Sequence, residues 1–129
     1  MAFKWNAKRR VKEIRISEEK EKYLNYYFDN ICFSGKLQIS ALETMAEMKG
    51  EGAEYISCSF DPDDEDYAEG CVTLLFWKPA DDENTMVVVD NEMFYKCLLK
   101  VCENHIVKYP DDAEKIQKCL DKIKTHLNV

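Results

Sequence analysis

Between Ala53 and Asp90 three apolar runs alternate with two acidic connectors, and this stretch leaves the rest of the chain few ways to fold. The runs AEYISCSF, CVTLLFW and MVVVD are rich in β-branched and aromatic side chains. The connectors DPDDEDYAEG and KPADDENT carry the turn residues Pro62, Gly70 and Pro79. The spacing predicts three strands of an antiparallel meander. In the first, Ile56, Cys58 and Phe60 alternate with Tyr55, Ser57 and Ser59, which gives one apolar face and one mixed face. The second run is apolar on both faces, so it belongs in the middle of the sheet. Met86 to Val89 form the third. The connector between the second and third runs is too long for a two-residue turn, and it is expected to be exposed and mobile.

The flanks read as helix. Ser17 followed by Glu18 and Glu19 predicts a helix start, with a capping hydroxyl and acids in the first turn. Tyr23, Leu24, Tyr27, Phe28, Ile31 and Cys32 then recur at helical spacing until Ser34-Gly35. A second, shorter helix fits Ser40 to Lys49, with Leu42, Met45 and Ala46 inward and Gly50 closing it. After the strands, Asp90 is placed to cap a helix whose stripe runs Met93, Phe94, Cys97, Leu98, Val101, Cys102, His105, Ile106 and Tyr109, up to Pro110. Asp111-Asp112 opens a last helix with Ala113, Ile116, Cys119, Leu120, Ile123 and Leu127 on its inner face. Val11, Ile14 and Ile16 could make a short edge strand or a lead-in. The expected class is α+β: a three- or four-stranded antiparallel sheet with two helices before it and two after it. All 129 residues fit one domain, in which the basic segment 1–16 could be loosely ordered.

Charge narrows the possible partners. The net charge is −7, and it is unevenly spread. Residues 1–16 hold Lys4, Lys8, Arg9, Arg10, Lys12 and Arg15 against the single acid Glu13, so the rest of the chain carries twice as many acids as bases. Such a body repels nucleic acid and favours cationic partners. The KRRVK run alone is a solvated terminal segment more often than a nucleic-acid patch. Cys32, Cys58, Cys71, Cys97, Cys102 and Cys119 each fall in apolar runs without a CxxC pair, and MAFKWNAKRR has no apolar signal core. Buried, reduced thiols in a cytoplasmic protein are expected. No apolar run reaches transmembrane length, and no membrane partner is expected.

Few residues suit catalysis. The only histidines, His105 and His126, lie on helix stripes, where a satisfied structural role is the commoner one. No GxSxG, glycine-rich phosphate loop or HExxH occurs. Asp61, Asp63 and Glu65 match the first three ligand positions of a calcium loop, but Asp66 stands where glycine is required and Val72 where glutamate is required. Zinc lacks paired Cys/His spacing. No cofactor and no enzymatic activity are expected.

The acids themselves are the remaining candidates. Asp61, Asp63, Asp64, Glu65, Asp66 and Glu69 crowd one connector around Tyr67, and Asp81, Asp82 and Glu83 occupy the other. A charge run between strands is by default a solvated loop. Crowded like charges nevertheless repel one another, and a cationic partner relieves that cost. Acids beside an aromatic anchor are what a protein blocking a basic, RNA-binding site would display. The runner-up use of the 61–69 carboxylates is a small hydrolase or regulatory protein holding a divalent ion. A plain adaptor domain is the third possibility.

GEGAEYISCSF (50–60), Glu69-Gly70 before an apolar strand, and VVVDNEMFYKCLLKVCENHIVKYPDDAEKI (87–116) together resemble immunity proteins of bacterial contact-dependent growth inhibition systems, of the kind paired with ribonuclease toxins. The resemblance covers roughly residues 20–127. It implies a cytoplasmic, non-enzymatic protein that binds the C-terminal nuclease domain of a large exported toxin and blocks its RNA-cleaving site. Contact residues do not carry over with it, so Asp61, Asp63, Asp64, Glu65, Asp66, Tyr67 and Glu69, with Asp81, Asp82 and Glu83 secondary, are assigned on charge alone. The basic N-terminus has no counterpart in the resemblance.

Overall fold

A computed structural model describes residues 3–6, 11–33, 36–47, 55–59 and 69–129. In chain order they form strands β1 (Phe3–Asn6) and β2 (Val11–Ile14), helix α1 (Ser17–Asn30), and the two-residue strands β3 (Cys32–Phe33) and β4 (Lys36–Leu37). Helix α2 (Ile39–Ala46) precedes strands β5 (Ile56–Ser59), β6 (Cys71–Phe76) and β7 (Thr85–Asp90). Helix α3 (Asn91–Lys108), a 3-10 turn (Pro110–Asp112) and helix α4 (Ala113–Leu127) complete the order.

The meander forms as the alternation requires. β5, β6 and β7 are successively antiparallel, with Ile56 opposite Phe76 and Val72 opposite Val89. β6 is the middle strand of the three, and Val72, Thr73, Leu74, Leu75 and Phe76 are all buried. The class is α+β, but the sheet is mixed rather than antiparallel. Its order is β1-β2-β7-β6-β5, because β2 lies parallel to β7, with Ile14 level with Val87, and β1 folds back antiparallel on β2. The reason lies in β2 itself. Val11 and Ile14 are both buried, yet three positions apart on a strand they point to opposite faces, so β2 has to sit where both faces are covered.

The helices pack on one face of the sheet. Ile14, Ile56, Leu74, Phe76 and Val87 share a core with Leu24, Tyr27 and Phe28 of α1, Phe94 and Leu98 of α3, and Ile116 and Ile123 of α4. A buried side chain of this size contributes about 1.5–3 kcal/mol relative to leaving it in water, so this face dominates the stability. The other face carries a small cluster of Val11, Leu75 and Met86, with Trp77 and Val88 against it.

Several local expectations are refined. Ser17 does not cap α1: it is the first helical residue, and Ile16 occupies the cap position without a side-chain bond. Asp90 does cap α3, where its carboxylate accepts from the Met93 N–H at 2.7 Å. α2 ends at Ala46 and begins at Ile39, and Pro110–Asp112 form a 3-10 turn, so the last helix begins at Ala113. All six thiols are free, but only Cys58, Cys102 and Cys119 are buried; Cys32, Cys71 and Cys97 are partly exposed. No helix among the described residues is long and apolar enough to cross a membrane.

Candidate partner-binding surface

The two acidic connectors leave the sheet at opposite ends of β6, a strand of six residues that spans roughly 17–20 Å. Asp61, Asp63, Asp64, Glu65, Asp66 and Tyr67 lie outside the described residues. Glu69 is described. It is exposed in the turn entering β6, beside Gly70, whose φ of +74° falls in the left-handed region that favours glycine. Glu69, Asp90 and Glu92 line one side of an open cleft of about 430 Å³, with His126 and the end of α4 across it. Asp81, Asp82 and Glu83 sit at the far end of the sheet. The fold therefore does not bring the described acids of the two connectors together.

The second connector has no regular structure, yet it is tied down along its length. The Tyr23 hydroxyl donates to Asp81 Oδ2 at 2.6 Å, and the Tyr26 hydroxyl donates to the Ala80 carbonyl at 2.6 Å. The Thr85 hydroxyl lies 2.8 Å from both Asp81 Oδ2 and the Glu83 carbonyl and shares its single proton between them. The Asp82 N–H donates to Asp81 Oδ1 at 2.8 Å, and the Lys78 N–H donates to Asn84 Oδ1 at 2.9 Å. A backbone bond from the Lys12 N–H to the Asn84 carbonyl, 2.8 Å, joins the connector to β2. The loop expected to be mobile is thus held by α1 on one side and β2 on the other.

The sequence explains this seating. Tyr23 and Tyr26 are three apart on α1, so they stand on one helical face, and both rings pack on Phe76 with centroids 5.0 and 5.3 Å away. Their hydroxyls then project past the end of β6 into the connector, where each needs a partner. Phe76 is wholly buried beneath them.

The three acids are consequently different from one another. Asp81 is occupied inside the protein. Partial burial works against its ionisation, but the Tyr23 and Thr85 hydroxyls, the Asp82 amide and the Lys12 charge outweigh it and hold the carboxyl below its usual range. Burial, reinforced by the same contact, pushes the Tyr23 phenol up. Asp82 is exposed, and Glu83 is half exposed with Lys12 Nζ 3.6 Å from its carboxylate. The Lys12 side chain is only 14% exposed and Glu83 41%, so Glu83 keeps an outward side while it is paired with Lys12. Tyr23, Tyr26, Thr85 and Lys12 were not legible as site residues from the stripe pattern, which reads Tyr23 simply as core. The usable signal was the phenolic hydroxyls on a core-facing stripe.

His105 is the other polar group that the helix pattern singled out. It is buried at 3% exposure, accepts from the Leu37 N–H at Nδ1 (3.3 Å), and its Nε2 lies 2.8 Å from Asp112. Its polar atoms are fully used in joining α3 to β4 and to the 3-10 turn. Among the described residues no group of three or more His, Cys, Asp or Glu is placed to hold a metal ion.

Acids presented from a loop fixed to rigid elements suit recognition of a cationic surface. A family model described as CDI immunity protein matches residues 20–120, most of the chain. The chain belongs to this family: it is an immunity protein of contact-dependent growth inhibition, whose role is to neutralise a cognate toxin protein. No match was found among curated proteins.

Proposed function

We propose that the protein neutralises its toxin as a non-enzymatic, cytoplasmic inhibitor, binding a C-terminal nuclease domain that cleaves RNA and covering that domain's basic active site with acidic side chains. The observation that carries this reading is the family match combined with the net charge of −7, concentrated outside the N-terminal segment. An RNA-cleaving site needs lysine, arginine or histidine to hold phosphate, and carboxylates compete for the same groups while accelerating encounter. Asp82 and Glu83 are the described residues best placed to do so, with Asp61, Asp63, Asp64, Glu65, Asp66, Tyr67 and Glu69 as the second group.

The test is co-purification with the C-terminal region of the adjacent upstream reading frame, followed by a nuclease assay with and without the inhibitor. A one-to-one complex that no longer cuts RNA is expected. A complex that cuts RNA freely would sink active-site occlusion, and absence of any complex would remove this toxin as the partner. Within the complex, D82K/E83K should weaken binding and flatten its salt dependence, because two attractive contacts become repulsive.

A further inference from the structure

Asp81 opens the acidic triplet Asp81-Asp82-Glu83, and both oxygens of its carboxylate are taken up by hydrogen bonds inside the protein. Its Oδ2 receives the Tyr23 hydroxyl at 2.6 Å and the Thr85 hydroxyl at 2.8 Å, and its Oδ1 receives the amide of Asp82 at 2.8 Å. The last of these bonds fixes the backbone of the neighbouring exposed acid. The Thr85 hydroxyl also reaches the Glu83 carbonyl at 2.8 Å, which fixes the backbone of the other. The Asp82 contact thus orients an exposed acid, the Thr85 contact holds the hydroxyl that also reaches the Glu83 carbonyl, and the Tyr23 contact anchors the loop to α1 through a ring packed on the buried Phe76.

We propose that Tyr23, Asp81 and Thr85 form a positioning clamp that sets the shape in which Asp82 and Glu83 meet the toxin before the toxin arrives, and that Asp81 itself is not a contact residue. This rests on the reading that the toxin docks at the connector. A loop already in its bound shape does not lose ordering entropy on association, so apparent affinity scales with the fraction of molecules in the competent shape. Removing one bond of the clamp lowers that fraction without altering the charge presented.

The experiment compares Y23F, T85V, D81A and D81N with the wild type, and with D82K/E83K, for binding to the toxin domain across a salt series. Thermal melts confirm that each variant is folded. Y23F and T85V should each weaken binding about fivefold, the factor set by the net worth of one hydrogen bond, and leave the salt slope unchanged. D81A should lose more than either, and Y23F/T85V should fall no further than D81A, because the bonds act through one carboxylate. D81N keeps an oxygen for the two hydroxyls but loses the charge and the acceptor of the Asp82 N–H, so its affinity should fall between those of the wild type and D81A. Equal losses for D81N and D81A, with a reduced salt slope in both, would make Asp81 a contact charge and overturn the clamp. So would wild-type affinity in Y23F and T85V while D82K/E83K binds weakly. If D82K/E83K itself binds as the wild type does, the docking reading beneath the proposal fails instead.

Discussion

Replacing His105 by leucine tests the polar stitch that holds α3 to its neighbours. The ring is 3% exposed, and it serves two partners that are themselves unequal. Leu37 is buried, so its N–H, now donated to Nδ1 at 3.3 Å, would be left without an acceptor away from water. An orphaned buried donor costs about 1–3 kcal/mol. Asp112 has a side chain 29% exposed and can turn to solvent, so losing the 2.8 Å contact with Nε2 costs less. The ring also stacks on Tyr109 with centroids 4.8 Å apart, and such a pair contributes about 0.5–1.5 kcal/mol. Leucine recovers part of the apolar burial. The net loss should be about 3 kcal/mol, which for a chain of this length lowers the melting temperature by roughly 10 °C. H105N, whose amide oxygen can take the place of Nδ1, should lose about half as much. Urea denaturation at neutral pH gives the free energies, and hydrogen exchange at the Leu37 amide reports the bond itself. A loss below about 0.5 kcal/mol for H105L, or unchanged protection at Leu37, would refute the assignment of His105 as a structural hydrogen-bonding core residue.

Two further outcomes concern titratable groups. Because the Asp81 carboxyl is held below its ordinary pKa in the fold, it contributes stability that is present above the unfolded value and is lost as the pH falls through the folded one. The acid limb of a stability–pH curve should accordingly be shallower in D81N than in wild type, and identical limbs would show that the clamp carboxylate is not preferentially ionised. The Cys102 thiol is fully buried and its pKa is pushed up to about 12 by that burial, with Cys119 and Cys32 nearby adding to the shift. At pH 8 it should resist thiol reagents in the native protein and react only on unfolding, whereas the partly exposed Cys71 should label first; early labelling of Cys102 would contradict its placement.

What the sequence disclosed follows from the range of the interactions involved. The meander, the α3 cap at Asp90 and the inner faces of α1, α3 and α4 depend on spacings of two to four residues, and each is legible directly. The parallel join between β2 and β7 depends on residues 11–14 finding 85–87, and nothing local to VKEI announces it: Val11 and Ile14 stand at a helix-like interval and serve opposite faces. Ser17 has the chemistry of a cap, but Ile16 holds the cap geometry, so the hydroxyl falls one position late. Asp81, Asp82 and Glu83 look alike as a charge run. Only the arrival of Tyr23 from 58 residues away separates the internally bonded carboxylate from the two that face outward.

The seating of β7 between β2 and β6 has a consequence for how the molecule is made. As the chain leaves the ribosome, β2 can pair with β1 on one edge, but its other edge has no partner until residues 85–87 follow it. Contacts that close so long a loop are slow to form and leave strand edges open meanwhile. The sheet can zip shut only once its innermost strand, the last of its five in chain order, has followed, with α3 and α4 still to come. Tyr23 likewise waits on α1 for Asp81, so the second connector and the centre of the sheet are completed by the same stretch of chain.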